Sequence, residues 1–214
     1  MLTLYDHPAS ANGYKLRLLL AQLERPYRLE NVDIFAGESR TGPFRLKNPD
    51  GRIPVLQLDG GECLAESNAC LFWLAEGTAL LPGSALGRAR VLQWLFFEQN
   101  QVEPNLGTAR YWKLTGRDAR LPEVFAQKLG ASSAALDTLE GFLAAHPFLV
   151  EDRYTIADLG LFAYTHLAAD AGLPLQERPH LLSWLERVRS QPRFFEGLAP
   201  YPASALTVAT RAGA

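Results

Sequence analysis

The spacing of apolar residues changes character near residue 80, and this change limits the possible folds more than any single motif does. Over the first eighty residues, short apolar strands alternate with helical spacing, the signature of an α/β unit. From Leu86 onward the amphipathic stretches, near residues 86–114, 122–145, 155–171 and 180–191, carry helical spacing and no convincing strand. A chain of 214 residues can bury two modest cores, and Pro82-Gly83-Ser84 supplies a break between them. The expectation is an α/β domain over residues 1–80 and an all-helical domain over residues 86–214.

Residues 2–5 read as a strand; Leu16, Leu19, Leu20 and Leu23 then repeat at helical spacing until Pro26 stops the helix. Residues 27–34 alternate as a second strand, and a short helix is expected over residues 43–46. Two further strands, 55–58 and 62–65, flank Asp59-Gly60-Gly61, whose glycines tolerate the positive φ of a hairpin turn. Ser67 then reads as the cap of a helix running to about residue 76, its hydroxyl accepting from an early backbone N–H.

Charge excludes some partners. Lys and Arg number 21 against 23 Asp and Glu, so there is no basic stripe for nucleic acid. The apolar run over residues 16–23 is too short to span a bilayer, and no targeting segment is evident; no membrane partner and a cytoplasmic location are expected. The two cysteines, Cys63 and Cys70, are too few for a disulfide framework and do not form a C-x-x-C pair; they read as inert core thiols. No metal is expected.

Three motifs carry chemistry. Ser10-Ala11-Asn12-Gly13-Tyr14-Lys15 opens the first helix, where the positive end of the helix dipole and a hydroxyl or amide donor can stabilise an anion. Asn48-Pro49-Asp50-Gly51-Arg52-Ile53-Pro54-Val55 places a proline at the start of an apolar strand, where its missing N–H is tolerated. Glu66-Ser67 follows twelve residues after Pro54, at another helix start that attracts carboxylates. Each alone also reads as a helix cap or a strand-start proline, and Glu66-Ser67 alone reads foremost as a cap.

Their combination resembles the glutathione-binding half of cytosolic glutathione transferases, in a bacterial-like form with a serine/asparagine-type active site. Tyr154-Thr155-Ile156-Ala157-Asp158-Leu159, a capping box, resembles the start of a buried helix in the second domain of that family and extends the likeness to most of the chain. The resemblance implies a thioredoxin-like N-terminal domain that binds glutathione as co-substrate and an all-α C-terminal domain with a pocket for a hydrophobic electrophile. It further implies a cis Pro54, with the Ile53 N–H and C=O pairing strand-like with the cysteinyl part of glutathione.

By the same resemblance Arg52 lies near the glycine carboxylate, its alternative being a solvated surface arginine. Ser67 binds the γ-glutamyl carboxylate, and Glu66 faces the γ-glutamyl ammonium. Ser10 and then Asn12 are the catalytic candidates that stabilise the thiolate, with Tyr5 as a competing donor because other branches use a tyrosine there. His7 reads as a loop histidine. Where redox branches carry a cysteine, this chain has Ser10, Ala11 and Asn12, which disfavours a mixed disulfide on the enzyme. Ser39 stands where many relatives carry a histidine for the glycine end. Arg110 and Tyr111 are candidates for the electrophile pocket, although aromatics at such spacing are usually core.

The leading expectation is conjugation of glutathione thiolate to an electrophile by a homodimeric enzyme. Two alternatives stand beside it: glutathione-dependent disulfide or peroxide reduction, and a non-catalytic binding protein that has kept the fold.

Overall fold

A computed structural model of the chain describes residues 1–206. It divides into two compact units, one comprising Met1–Glu76 together with residues 192–206, the other residues 77–191.

In the first unit the elements are β1 (Leu2–Asp6), α1 (Ala11–Gln22), β2 (Tyr27–Asn31), α2 (Gly42–Arg45), β3 (Val55–Gln57), β4 (Cys63–Ala65) and α3 (Ser67–Leu74). The sheet order is β2-β1-β3-β4. β1 runs parallel to β2 and antiparallel to β3, with Leu4 opposite both Leu29 and Leu56. The β1-α1-β2 crossover makes the parallel pair, and β3 pairs antiparallel with both β1 and its hairpin partner β4, which is the thioredoxin-like arrangement. Tyr14, Leu16, Leu18, Leu19 and Leu20 of α1 are all buried, so this helix is apolar around most of its circumference and sits inside the unit. It packs against α3.

β2 ends at Asn31, short of the expected 34, because the Asp33 carboxylate accepts from the N–H groups of Phe35 and Ala36 at 2.9 and 3.0 Å and turns the chain. The expectation of a helical domain reaching residue 214 counted the C-terminal stretch with the second unit; its described part packs on the first. There the Tyr14 hydroxyl donates to the Phe195 carbonyl at 2.7 Å, and the Ala199 N–H donates to the Pro8 carbonyl at 3.2 Å.

The second unit is built from α4 (Ala85–Phe97), a π-helical stretch (Glu98–Gly107), α5 (Thr108–Thr115), α6 (Pro122–Leu143), α7 (Ile156–Thr165) and α8 (Pro179–Arg189). Pro104 lies inside the π-helical stretch, where its missing N–H suits the widened register. A Cβ at Gly107 would run into the Tyr164 ring, so the close approach of this stretch to α7 requires glycine.

The capping box at the start of α7 forms as its sequence indicates. Asp158 is fully buried and accepts from the Thr155 N–H and Leu149 N–H, both at 2.9 Å, from the Thr155 hydroxyl at 3.2 Å and from the Trp184 indole at 2.9 Å. One carboxylate thereby ties the start of α7 to α8 and to the preceding loop. Among the described residues no helix is long and apolar enough to cross a membrane.

Candidate functional site

The three motifs singled out in the sequence fall at two helix N-termini and one strand start, and all three lie in the first unit. At the first, Ser10 caps α1: its Oγ accepts from the Gly13 N–H at 3.1 Å, satisfying one of the otherwise open donors of the first turn. That bond uses an oxygen lone pair and leaves the hydroxyl proton for another acceptor. Cap and donor are therefore compatible roles for Ser10.

The loop beneath Ser10 is held from inside. Arg17 donates to the carbonyls of Pro8 and Ser10 at 3.2 and 3.4 Å and lies 3.5 Å from the Asp6 carboxylate. Asp6 ends β1 with its side chain buried against α1, and a Cβ added at Gly13 would overlap its carboxyl. Among the described residues neither Asp6 oxygen accepts a well-formed hydrogen bond. Burial pushes its pKa up from the ordinary 3.8 to about 7, against the opposing pull of Arg17 and the weaker one of the His7 N–H. His7 is also held down in pKa, chiefly by burial, and its Nδ1 accepts from the Ala9 N–H at 3.1 Å. It is a loop anchor.

The second helix start differs from expectation. Glu66, not Ser67, is the N-cap of α3, and it makes no side-chain cap bond. Its backbone sits at φ 66°, a left-handed conformation unfavourable for a residue with a Cβ. This brings Ser67 inside the first turn, where its hydroxyl is directed at α1. Ser67 Oγ donates to Asn12 Oδ1 at 3.1 Å and accepts from Lys15 Nζ at 3.3 Å, while Lys15 also donates to Asn68 Oδ1 at 3.2 Å. The two helix N-termini are thus joined by side chains. Glu66 itself is exposed.

At the strand start, the Ile53–Pro54 peptide is cis. The Ile53 side chain packs on the cluster of Val32, Phe44 and Val55. Among the hydrogen bonds of the described residues, none engages the Ile53 N–H or C=O. The turn before it is fixed by Asn48, whose Nδ2 donates to the Arg52 carbonyl at 2.8 Å. Gly51 has φ 64°, and a Cβ there would crowd the Ser39 carbonyl, so this turn needs glycine. Ser39 is buried. The Arg52 side chain is 71% exposed and pairs with Asp50 at 2.7 Å.

Of the remaining candidates, the Tyr5 hydroxyl donates to Gln57 Oε1 at 2.9 Å, which engages it along the sheet. Cys70 is buried and its thiol is pushed up to about 12 by burial, so it is inert at neutral pH. In the second unit, buried Arg110 donates to Asp170 at 2.9 Å, and Arg117 lies over the Tyr111 ring at 4.6 Å. Sequence reasoning missed Lys15 and Asp6. For Lys15 a signal existed: it stands three residues after Asn12, on the same helical face.

The chain has clear relatives among known proteins. Residues 1–76 match the family model of the glutathione S-transferase N-terminal domain, and residues 122–187 match that of the C-terminal domain. Glutathione S-transferase 3 of Zea mays is 31% identical over 215 residues, covering 94% of this chain and 95% of its own length. The disulfide-bond oxidoreductase YfcG of Escherichia coli is 31% identical over 199 residues, covering 90% of this chain and 92% of its own. Among solved structures, a glutathione S-transferase from Pseudomonas fluorescens is 41% identical, with a TM-score of 0.89, over 91% of this chain and 98% of that one. With both family models matched and relatives spanning nearly its whole length, this chain belongs to the glutathione S-transferase family.

Proposed function

We propose that the protein binds glutathione on its first unit and transfers the thiolate to a hydrophobic electrophile. What carries this reading is the joint between the starts of α1 and α3, in which Asn12 and Lys15 hold the Ser67 hydroxyl at a helix N-terminus. A carboxylate is stabilised there by the backbone N–H groups and the dipole. The γ-glutamyl carboxylate binds at Ser67, its ammonium faces Glu66, and the cysteinyl backbone pairs with Ile53. Arg52 takes the glycine carboxylate.

This arrangement brings the sulfur to Ser10, with Asn12 beside it. A thiol is mostly protonated near neutral pH, yet the thiolate is the nucleophile. A hydrogen bond donated by the Ser10 hydroxyl to the sulfur, together with the α1 dipole, favours the anion, and the thiol proton passes to solvent. The sulfur lone pair then forms a C–S bond to the electrophilic carbon as the leaving group departs with its electron pair. Orientation of both reactants supplies the rest of the acceleration. Arg110 and Tyr111 contribute to electrophile binding, and the enzyme works as a cytoplasmic homodimer.

The test is an absorbance titration of the bound thiol. Wild type and Tyr5→Phe are expected to share a lowered thiol pKa, and Ser10→Ala to raise it by about one unit, or 1.4 kcal/mol. An unshifted thiol in the wild type would sink the role of Ser10, and an effect of Tyr5→Phe alone would move that role to Tyr5.

A second reading is favoured by the relative named a disulfide-bond oxidoreductase. In it, glutathione thiolate attacks a disulfide sulfur, so that one thiol is oxidised as the other is released, and no enzyme cysteine takes part. An aryl halide, an organic peroxide and a mixed disulfide assayed side by side separate the two. Glutathione that fails to raise the melting temperature even at millimolar concentration would instead favour a non-catalytic role.

A further inference from the structure

Lys15 is fully buried, on a helix whose other inward residues are mostly apolar. Burying a lysine is costly unless its donors and charge are used. Its Nζ reaches across from α1 to Ser67 Oγ at 3.3 Å and Asn68 Oδ1 at 3.2 Å, the first two residues of α3. Asn12, one turn earlier, takes the Ser67 proton at 3.1 Å.

Hydrogen-bond inventory gives this contact a direction. An ammonium has donors and no acceptor, so Ser67 can only accept from Lys15. The Ser67 proton is therefore aimed away from Lys15, toward Asn12 or toward an acceptor bound at the α3 N-terminus. A carboxylate is such an acceptor, and a cation just behind the hydroxyl strengthens the bond it receives.

We infer that Lys15 is a positioning residue for the carboxylate end of the ligand: it orients the Ser67 hydroxyl and places a positive charge behind it, without touching the reacting sulfur. This rests on the glutathione reading above. It makes the site selective for a γ-glutamyl group that keeps its α-carboxylate, whereas a purely structural Lys15 would serve all ligands alike.

Calorimetric titration with glutathione and with 4-aminobutyryl-cysteinylglycine, the same tripeptide lacking that α-carboxylate, tests the assignment. Lys15→Met is expected to lose about tenfold in glutathione affinity, keep its affinity for the decarboxylated analogue, and be rescued largely by Lys15→Arg. Equal losses for both ligands, or none, overturn it. Should Lys15→Met not fold, as judged by near-ultraviolet circular dichroism, Asn68→Ala removes one anchor of Nζ and is expected to lose about threefold for glutathione alone. Unchanged binding of both ligands by Asn68→Ala also overturns the inference. A wild-type protein that binds neither ligand overturns the functional reading itself, which keeps the two failures distinct.

Discussion

Each unit buries one aspartate beside the start of a helix, and the two are treated differently. Asp158, at the foot of α7, receives four hydrogen bonds from backbone, hydroxyl and indole donors. Asp6, at the foot of α1, has Arg17 at 3.5 Å and, among the described residues, no well-formed hydrogen bond to either oxygen, the His7 N–H lending it only a weaker pull. Burial raises both carboxyls, Asp158 to about 6 and Asp6 to about 7, but at Asp158 the four donors work against it, whereas at Asp6 mainly Arg17 does. A fully satisfied buried carboxylate rigidifies its surroundings. One left short of donors carries its pH dependence further toward neutrality. The first sits where the unit needs a latch, the second beneath the loop that presents Ser10.

The largest effect should come from breaking the satisfied site. Asp158→Ala leaves the Leu149 N–H and the Trp184 indole buried without their acceptor and is expected to cost about 3–5 kcal/mol in urea denaturation. A loss below 1 kcal/mol would place the latch elsewhere.

The next separates the two carboxyls by pH. A carboxyl whose folded pKa is raised is neutral in both states below about 3.8, so its stabilisation is fully present there and is lost as pH rises through the folded pKa. Asp6 therefore makes the wild type lose stability from about pH 4 to about pH 7, by at most about 1.4 kcal/mol per pH unit. Asp6→Asn removes this dependence, so its stability relative to wild type should climb over that window and then level. Asp158 contributes with the same sign up to about 6 in both proteins and cancels in the difference. Parallel stability curves would show that Asp6 titrates normally.

The smallest effect probes the close packing at Asp6. Gly13→Ala drives a methyl into the Asp6 carboxyl and should cost about 1–3 kcal/mol. In an Asp6→Ala background the same substitution should cost clearly less. Strict additivity in this double-mutant cycle would break the account of a carboxyl seated on the glycine.

The legible parts of this fold were local. Strand and helix spacing before and after residue 80, the Asp59-Gly60-Gly61 hairpin and the Thr155–Asp158 box are each written within a few residues, because they rest on periodicity, turn conformations and capping. The cis Ile53–Pro54 came from resemblance, and the structure has it. Ser67 shows where local reading stopped. Its sequence context reads as an N-cap, but the left-handed backbone at Glu66 moves it one position into α3.

The amino-acid sequence by itself determined the two-part architecture and the order of the motifs that point to a glutathione site. Only the tertiary structure decided which side chains join them. Ser67 meets Asn12 across 55 positions and Lys15 across 52, and the segment after residue 191 returns to the first unit through Phe195 and Ala199. The physical reason is one of range. Capping and periodicity are settled between neighbours along the chain, whereas the bonds of Ser67 form only because α1 and α3 pack against each other, and those of Phe195 and Ala199 only because the later segment folds back onto the first unit.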